Sequence, residues 1–163
     1  MNQNKNNQKQ LPKQLAAKPN ERDFNYIVVH SSGTMQGIPL TAQDIDLSHR
    51  VRQWAGIGYN IVVGLDGHVE LGRSLKYQGA HCKAQGRNND SIGVCYIGGT
   101  DCEFEPADTR TREQKIALDA VLQTLKAVWP EAEITGHKDW EATACPSFNA
   151  RREFSHITGD TLL

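Results

Sequence analysis

The strongest constraint on the fold is the stretch TREQKIALDAVLQTLKAVWP, residues 111–130. Thr111 and Gln114 have the spacing of a capping box, in which two side chains satisfy free backbone N–H groups at the start of a helix. Large apolar residues then recur at helical spacing, at Leu118, Val121, Leu122, Leu125 and Val128. Pro130 ends the pattern, because proline cannot continue a helix. The stretch therefore predicts one long amphipathic helix that needs a broad apolar surface to pack against.

Runs rich in β-branched and aromatic residues can supply that surface. FNYIVVH (24–30) and SIGVCYIGG (91–99) predict buried strands, and residues 132–135 predict a shorter one. The first run predicts a central strand whose carboxyl end delivers His30 into a loop.

A hairpin and two further helices complete the predicted elements. Residues 59–65 alternate in polarity, and Asp66-Gly67 is a favoured turn that leads into a return strand at 69–71. Residues 148–157 predict a short final helix. Residues 41–55 predict an amphipathic helix with three residues on its apolar face, namely Leu47, Val51 and Trp54.

The order of these elements predicts an α/β fold with a central mixed β-sheet flanked by helices. We expect a single domain over residues 23–163. Residues 1–22 are polar and contain few large apolar groups, which predicts a flexible tail. Residues 76–90 show no periodicity and predict a long loop, which in a compact domain is usually functional or mobile.

Composition bears on which partners the protein binds and on where it is synthesised. The formal net charge is −1, which gives no reason to expect a nucleic-acid partner. The sequence shows no apolar core of a secretory signal and no apolar run long enough to insert in a membrane. We therefore expect synthesis in the cytoplasm, without a signal peptide.

The four cysteines are too few for a disulfide scaffold in a chain of 163 residues. In a reducing compartment each is expected to be a free thiol. A bridge between Cys95 and Cys102 after export stays a possible alternative.

Two histidines follow predicted strand ends, and a cysteine comes shortly after the second. His30 follows YIVV and His137 follows EITG, so both are expected at the edge of the sheet where ligands bind in α/β folds. With Cys145 they make a set of two nitrogens and one sulfur, which suits Zn²⁺ and leaves a fourth position open. The pattern alone also allows structural histidines, a core cysteine or a cysteine nucleophile. A zinc pair of His81 and Cys82 is poor, because adjacent side chains diverge on an extended chain.

Four segments, in order, resemble the zinc-dependent N-acetylmuramoyl-L-alanine amidases of the type 2 amidase and peptidoglycan recognition protein superfamily. They are YIVVHSSGT (26–34), DIDLSHRVRQWAGIGYNIVVGLDGHVELGR (44–73), GAHCKAQGRNNDSIGVCYIGG (79–99) and GHKDWEATACPSF (136–148). The likeness is greatest to the phage members. It implies the fold of that superfamily and hydrolysis of the amide bond between N-acetylmuramic acid and L-alanine in peptidoglycan.

The resemblance also implies roles for individual residues. His30, His137 and Cys145 match the zinc ligands. Tyr59 matches a catalytic tyrosine that hydrogen-bonds the zinc water or the oxyanion, and His81 matches a histidine beside the substrate cleft.

One position departs from the phage pattern. Those enzymes carry a catalytic lysine two residues before the cysteine, where this chain has Thr143, as amidase-active recognition proteins do. A hydroxyl can donate a hydrogen bond to an oxyanion but brings no positive charge. Lys138 and Glu141 are nearby alternatives, and Asp139 is a candidate to hold a histidine ring or to cap the loop.

We expect a monomeric enzyme that acts on the cell wall after release or export by an unknown route, as in a phage or prophage endolysin. Two alternatives stay open. One is a muropeptide-binding module without catalysis. The other is a cytoplasmic amidase that recycles anhydro-muropeptides, although those relatives complete the zinc site with an aspartate where this chain has Cys145.

Overall fold

The computed structural model describes residues 11–12 and 22–158. Its strands are β1 (Tyr26–Ser31), β2 (Thr34–Met35), β3 (Ile61–Val63), β4 (Val69–Leu71), β5 (Ser91–Tyr96), β6 (Gly99–Thr100) and β7 (Glu133–Gly136). Its α-helices are α1 (Ala42–Val51), α2 (Arg87–Asp90), α3 (Arg112–Val128) and α4 (Ala150–Glu153), with 3₁₀ turns at Ala84–Gly86 and His137–Asp139.

The main sheet has the strand order β4-β3-β5-β1-β7. Strands β3, β5, β1 and β7 run parallel, and β4 is antiparallel to β3 as the second strand of the predicted hairpin. The predicted mixed sheet is therefore confirmed. A separate small sheet, which the sequence did not predict, pairs β2 with β6.

The two faces of the main sheet differ in chemistry. Residues on one face belong to the large apolar core beneath α3, among them Ile27 and Val29 of β1 and Ile92 and Val94 of β5. Because side chains alternate along a strand, His30 projects to the opposite face. That face has a smaller apolar cluster under α1, made of Ala42, Ile45, Ile57, Val62 and Ile97. The candidate site lies on this less apolar side.

Helix α3 has the predicted capping box and buries the predicted face. The Thr111 hydroxyl accepts from the N–H of Gln114, whose side-chain oxygen accepts from the N–H of Thr111. Leu118, Val121, Leu122 and Leu125 are each 0% exposed. The Gln114 amide donates to the carbonyl oxygens of Val63 and Ile97, at 3.2 and 2.9 Å, and so ties the first turn of the helix to the sheet.

Helix α1 exists as predicted, but the prediction of its apolar face was wrong. Leu47, Val51 and Trp54 are 56%, 84% and 43% exposed, and Trp54 lies beyond the end of the helix. The buried residues of α1 are Ala42, Ile45 and His49. Ala42 and Ile45 belong to the small apolar cluster beneath α1, and His49 adds a polar side chain to the inner side of the helix.

Several boundaries also differ from the predictions. His30 lies inside β1 and not in the following loop. The run 91–99 divides into β5 and β6, and 59–65 does not alternate in burial, because β3 is covered on both faces. The predicted loop 76–90 contains two short helical turns.

The predicted flexible tail, residues 1–22, lies outside the described residues except at 11–12 and 22. Leu11 packs against the large core. Arg22 donates to the carbonyl oxygens of Leu75, Tyr77 and Asn89. In the described part of the chain, no helix has the length and apolarity needed to cross a membrane.

Candidate functional site

The structure brings His30, His137 and Cys145 together at one edge of the main sheet. Val29 of β1 is paired with Gly136, the last residue of the neighbouring parallel strand β7, so the residues that follow them in the chain, His30 and His137, start at the same level. One potential ligand atom from each of the three residues lies within 4.8 Å of the other two. Strand pairing therefore places the two imidazoles, and the loop after His137 adds the thiol.

Three hydrogen bonds hold the loop that carries Cys145. The N–H of Lys138 donates to the carbonyl oxygen of Cys145 at 2.7 Å. The hydroxyl of Tyr96 donates to the carbonyl oxygen of Pro146 at 2.8 Å. The N–H of Ser31 points at the Cys145 sulfur, 3.2 Å away, which favours the thiolate form over the thiol. The sulfur thus faces β1 directly.

His30 is held in the neutral form that a metal requires. Its side chain is buried, and its pKa lies well below the ordinary value, first because of burial and then because of His81 and His137. Its Nε2 lies 3.0 Å from Nδ1 of His81, at hydrogen-bond distance. Its Nδ1 lies 3.8 Å from the Cys145 sulfur. One ring nitrogen of His30 is therefore occupied by a neighbour, and the other faces the cluster.

His81 sits in a space that two glycines leave open. A Cβ on Gly93 of β5 would lie 2.6 Å from the His81 ring, and a Cβ on Gly79 would lie 2.7 Å from it. The ring is 8% exposed, and burial lowers its pKa to about 3. The structure thus places His81 behind His30, with its Nδ1 turned to that ring.

Tyr59 stands on the other side of His30, with the two ring centroids 5.1 Å apart. Its pKa is raised well above 10, first by burial and then by the thiols of Cys95 and Cys145. The phenol therefore keeps its proton and can donate a hydrogen bond. Sequence reasoning gave Cys95 no part in this site, and only its alternation with Val94 on a buried strand pointed to the same face.

Helix α1 positions the segment that leads to Tyr59. Asp46 accepts from the N–H of Ile57 at 2.7 Å, and Nδ1 of His49 accepts from the N–H of Gly58 at 3.0 Å. Gly58 passes so close to Ala80 that an added Cβ would lie 2.0 Å from the Ala80 carbonyl oxygen. These contacts fix the backbone immediately before Tyr59.

Thr143 lies exposed at the rim, two residues before the cysteine. Its hydroxyl oxygen accepts from the N–H of Cys145 at 3.2 Å, which leaves its proton free for another acceptor. Asp139 accepts from the N–H of Gly136 at 2.8 Å and pairs with Arg151, so it caps the 3₁₀ turn.

Glu141 is the carboxylate nearest to the His137 ring in the described residues, a contact that sequence reasoning missed. Its Oε2 lies 3.2 Å from Nε2 of His137, and its Oε1 accepts from the N–H groups of Lys83 and Ala84 at 2.9 and 3.0 Å. A second possible metal-binding group, Cys82 with His137 and Glu141, meets the same 4.8 Å limit. The i, i+4 spacing of His137 and Glu141 was the available sequence signal.

The donor set of His30, His137 and Cys145 fits a metal ion. Two imidazole nitrogens and one sulfur match the borderline-soft ligands that zinc takes, and three protein ligands leave one position open. The thiol pKa of Cys145 is raised, chiefly by burial, so a cation has to displace its proton. The cluster is therefore compatible with a single catalytic metal.

Comparisons with known proteins agree with this geometry. The family model Amidase_2, described as N-acetylmuramoyl-L-alanine amidase, matches residues 20–148. The chain is 37% identical to an endolysin of Enterobacteria phage K11 over 131 residues, which is 80% of this chain and 85% of that protein. It is 35% identical to an endolysin of Escherichia phage T7 over 126 residues, 77% of this chain and 82% of that one. Among solved structures, the endolysin amidase LysCS from Clostridium intestinale superposes with a TM-score of 0.68, at 30% identity over 82% of each chain.

Proposed function

Since this chain belongs to the N-acetylmuramoyl-L-alanine amidase family, we propose that it is a zinc-dependent amidase of the endolysin type. Its substrate is the amide bond between the lactyl carboxyl of N-acetylmuramic acid and L-alanine in peptidoglycan. The observation that carries the proposal is the convergence of His30, His137 and Cys145 within 4.8 Å at the edge of the sheet. The similarity to phage endolysins supports a cell-wall lytic role.

The three residues would hold zinc, with one position left for water or substrate. When bound, zinc supplies a Lewis acid that polarises the amide carbonyl and lowers the pKa of a coordinated water to about 7. The chain supports this chemistry by keeping His30 neutral through burial and by directing the Ser31 N–H at the Cys145 sulfur.

Tyr59 is proposed as the hydrogen-bond donor to the oxyanion that develops on the amide carbonyl. Burial raises the pKa of its phenol, so the proton is present throughout the neutral range. A fixed donor in a site sheltered from water stabilises developing charge more than it would in solution. Thr143 is proposed as a second, weaker donor from the rim, in place of the lysine of the phage pattern.

The buried position of His81 favours an indirect role, in which His81 orients the His30 ring. The 3.0 Å contact occupies Nε2 of His30 and leaves Nδ1 turned toward the Cys145 sulfur. Partners of this kind orient a metal-binding histidine and set which nitrogen carries the proton. Direct contact of His81 with the substrate stays a prediction.

The test is metal analysis paired with turnover on purified sacculi. We expect about one zinc per chain, release of L-alanine-linked peptides, and loss of both in Cys145→Ser, because a hydroxyl is a poor zinc ligand. Cys102→Ser is the matched control, since Cys102 is an exposed free thiol. Tyr59→Phe should keep its zinc and lose about 10²–10³ in rate.

Other outcomes would replace the proposal. Full turnover by a metal-free Cys145→Ser protein contradicts the zinc site. Zinc-loaded protein that binds muropeptides without cleaving them is a recognition module. Cleavage of soluble anhydro-muropeptides alone, with intact sacculi untouched, identifies a recycling enzyme.

A further inference from the structure

The Glu141 side chain joins two segments that meet at the candidate site. It belongs to the loop between His137 and Cys145, and its Oε1 accepts two backbone N–H groups from Lys83 and Ala84. Those residues lie two and three positions after His81. One carboxylate oxygen therefore fixes the metal-site loop against the segment that also carries the partner of His30.

The second carboxylate oxygen of Glu141 faces His137. Its distance to Nε2 is 3.2 Å, yet the contact lacks hydrogen-bond geometry, and Nε2 is buried without a hydrogen-bond partner among the described residues. A buried donor without an acceptor is costly, and Glu141 already stands within reach.

The neighbouring histidine shows the matching arrangement. Nε2 of His30 contacts His81, and Nδ1 faces the Cys145 sulfur. If the His137 ring is arranged like the His30 ring, its Nε2 donates to the Glu141 carboxylate and its Nδ1 is left to bind the metal. Each imidazole then has one nitrogen fixed by the protein and the other free for the cation.

We propose that Glu141 is a positioning residue for the metal. It accepts the Nε2 proton of His137 and thereby leaves the lone pair on Nδ1, in the tautomer that binds the cation. The inference rests on the zinc-dependent function proposed above and adds a residue to its machinery. Carboxylates that hold a metal-binding histidine typically contribute 10–100-fold in metal affinity.

The contact between His137 and Glu141 also has an alternative explanation, in which both residues belong to a second metal-binding group. In it the His137 ring would bind the cation itself, together with Cys82 and with Glu141, whose Oε2 lies 3.2 Å from Nε2. We favour the positioning role because Oε1 of Glu141 is already held by two N–H groups, which fix the carboxylate as a hydrogen-bond acceptor beside His137.

The variant Glu141→Gln distinguishes the effect of Glu141 on the His137 ring from its hydrogen bonds to the loop at Lys83 and Ala84. The glutamine carbonyl can still accept from Lys83 and Ala84, whereas its NH₂ group presents a donor to Nε2 and favours the wrong tautomer. We expect zinc affinity, measured by chelator competition, to fall 10–100-fold, while the unfolding midpoint of the metal-free protein stays near that of the wild type. Glu141→Ala, which also loses the loop attachment, should lower both.

Nitrogen-15 NMR of the metal-free protein provides a readout independent of activity. The wild-type His137 ring should carry its proton on Nε2, and Glu141→Gln should move it to Nδ1. Glu131→Gln, a change of the same charge at an exposed position, is the control and should alter neither the tautomer nor zinc affinity.

Two results overturn the positioning role. One is an unchanged tautomer and zinc affinity in Glu141→Gln. The other is a zinc-loaded wild type with no proton on Nε2 of His137, together with loss of zinc in Cys82→Ser, which assigns the metal to the second ligand group. Should zinc-loaded wild type leave sacculi intact, the proposed amidase function fails, while the tautomer and affinity measurements still decide the role of Glu141.

Discussion

Helices α1 and α3 begin with the same capping motif but have different roles in the structure. Each starts with a threonine in a capping box, and each carries an apolar stripe at helical spacing. Helix α3 buries its stripe on the sheet, whereas α1 leaves Leu47 and Val51 exposed. The inner side of α1 instead uses His49 and Asp46 to hold the backbone before Tyr59.

The difference follows from the two faces of the sheet. Helix α3 covers the face where Ile27 and Val29 project, so its packing is apolar. Helix α1 covers the face that carries His30, where polar groups must be held in fixed positions. One helix therefore stabilises the fold, and the other shapes the site.

The largest effect is expected from truncating the α3 core. Leu122→Ala removes a side chain that is 0% exposed, and the resulting cavity should lower the free energy of unfolding by about 2–5 kcal/mol. Urea denaturation of the metal-free protein measures this. A loss below about 1 kcal/mol would mean that α3 is not the main contributor to the core.

His49→Ala tests the inner side of α1. It leaves the buried N–H of Gly58 without its acceptor and should cost about 1–3 kcal/mol. Turnover should also fall, because Gly58 directly precedes Tyr59. His49→Asn restores an acceptor near Nδ1 and should recover part of both. If neither variant changes turnover, α1 does not position the tyrosine.

Acid should weaken the hydrogen bond between the Gly58 N–H and Nδ1 of His49. The pKa of His49 is lowered, first by burial and then by Arg52. Because the folded-state pKa lies below the unfolded value of about 6.5, this stabilisation is complete above that pH and is lost as pH falls toward the folded pKa. The unfolding free energies of wild type and His49→Asn should therefore converge below about pH 6.5. Parallel curves would exclude His49 as the titrating group.

The two capping boxes give a smaller and unequal effect. Removal of a threonine cap costs about 0.5–2 kcal/mol. Thr111→Ala should exceed Thr41→Ala, because the Thr111 hydroxyl donates to the carbonyl oxygen of Leu65 in the hairpin turn at 2.7 Å, whereas the Thr41 hydroxyl donates to Asp44 within its own exposed capping box. Chemical denaturation of both variants ranks them. Equal losses would show that the tie to the hairpin adds nothing.

Much of the fold could be predicted because local patterns report it. The capping box at Thr111, the stripe ending at Val128 and the turn at Asp66-Gly67 all act over a few residues. The exposed face of α1 could not be predicted, since periodicity indicates a helix without telling which surface lies beneath it. That surface is built by strands from distant parts of the chain.

The candidate site divides in the same way. Resemblance pointed to His30, His137 and Cys145, which the structure brings together. It did not give the pairing of β1 with β7 that sets the two histidines at one level. The contact between Glu141 and Lys83 could not be predicted from the sequence either, because it joins loops that are far apart in the chain.

The smallest effect is expected on the outer side of α1. The double variant Leu47→Gln and Val51→Gln alters side chains that are 56% and 84% exposed and should change the free energy of unfolding by no more than about 0.5 kcal/mol. Glutamine has a helix propensity similar to leucine and better than valine, so the helix itself is not weakened. Urea denaturation beside Leu122→Ala makes the comparison direct. A loss above about 1 kcal/mol would show that this stripe is covered in solution, and α1 would then resemble α3 after all.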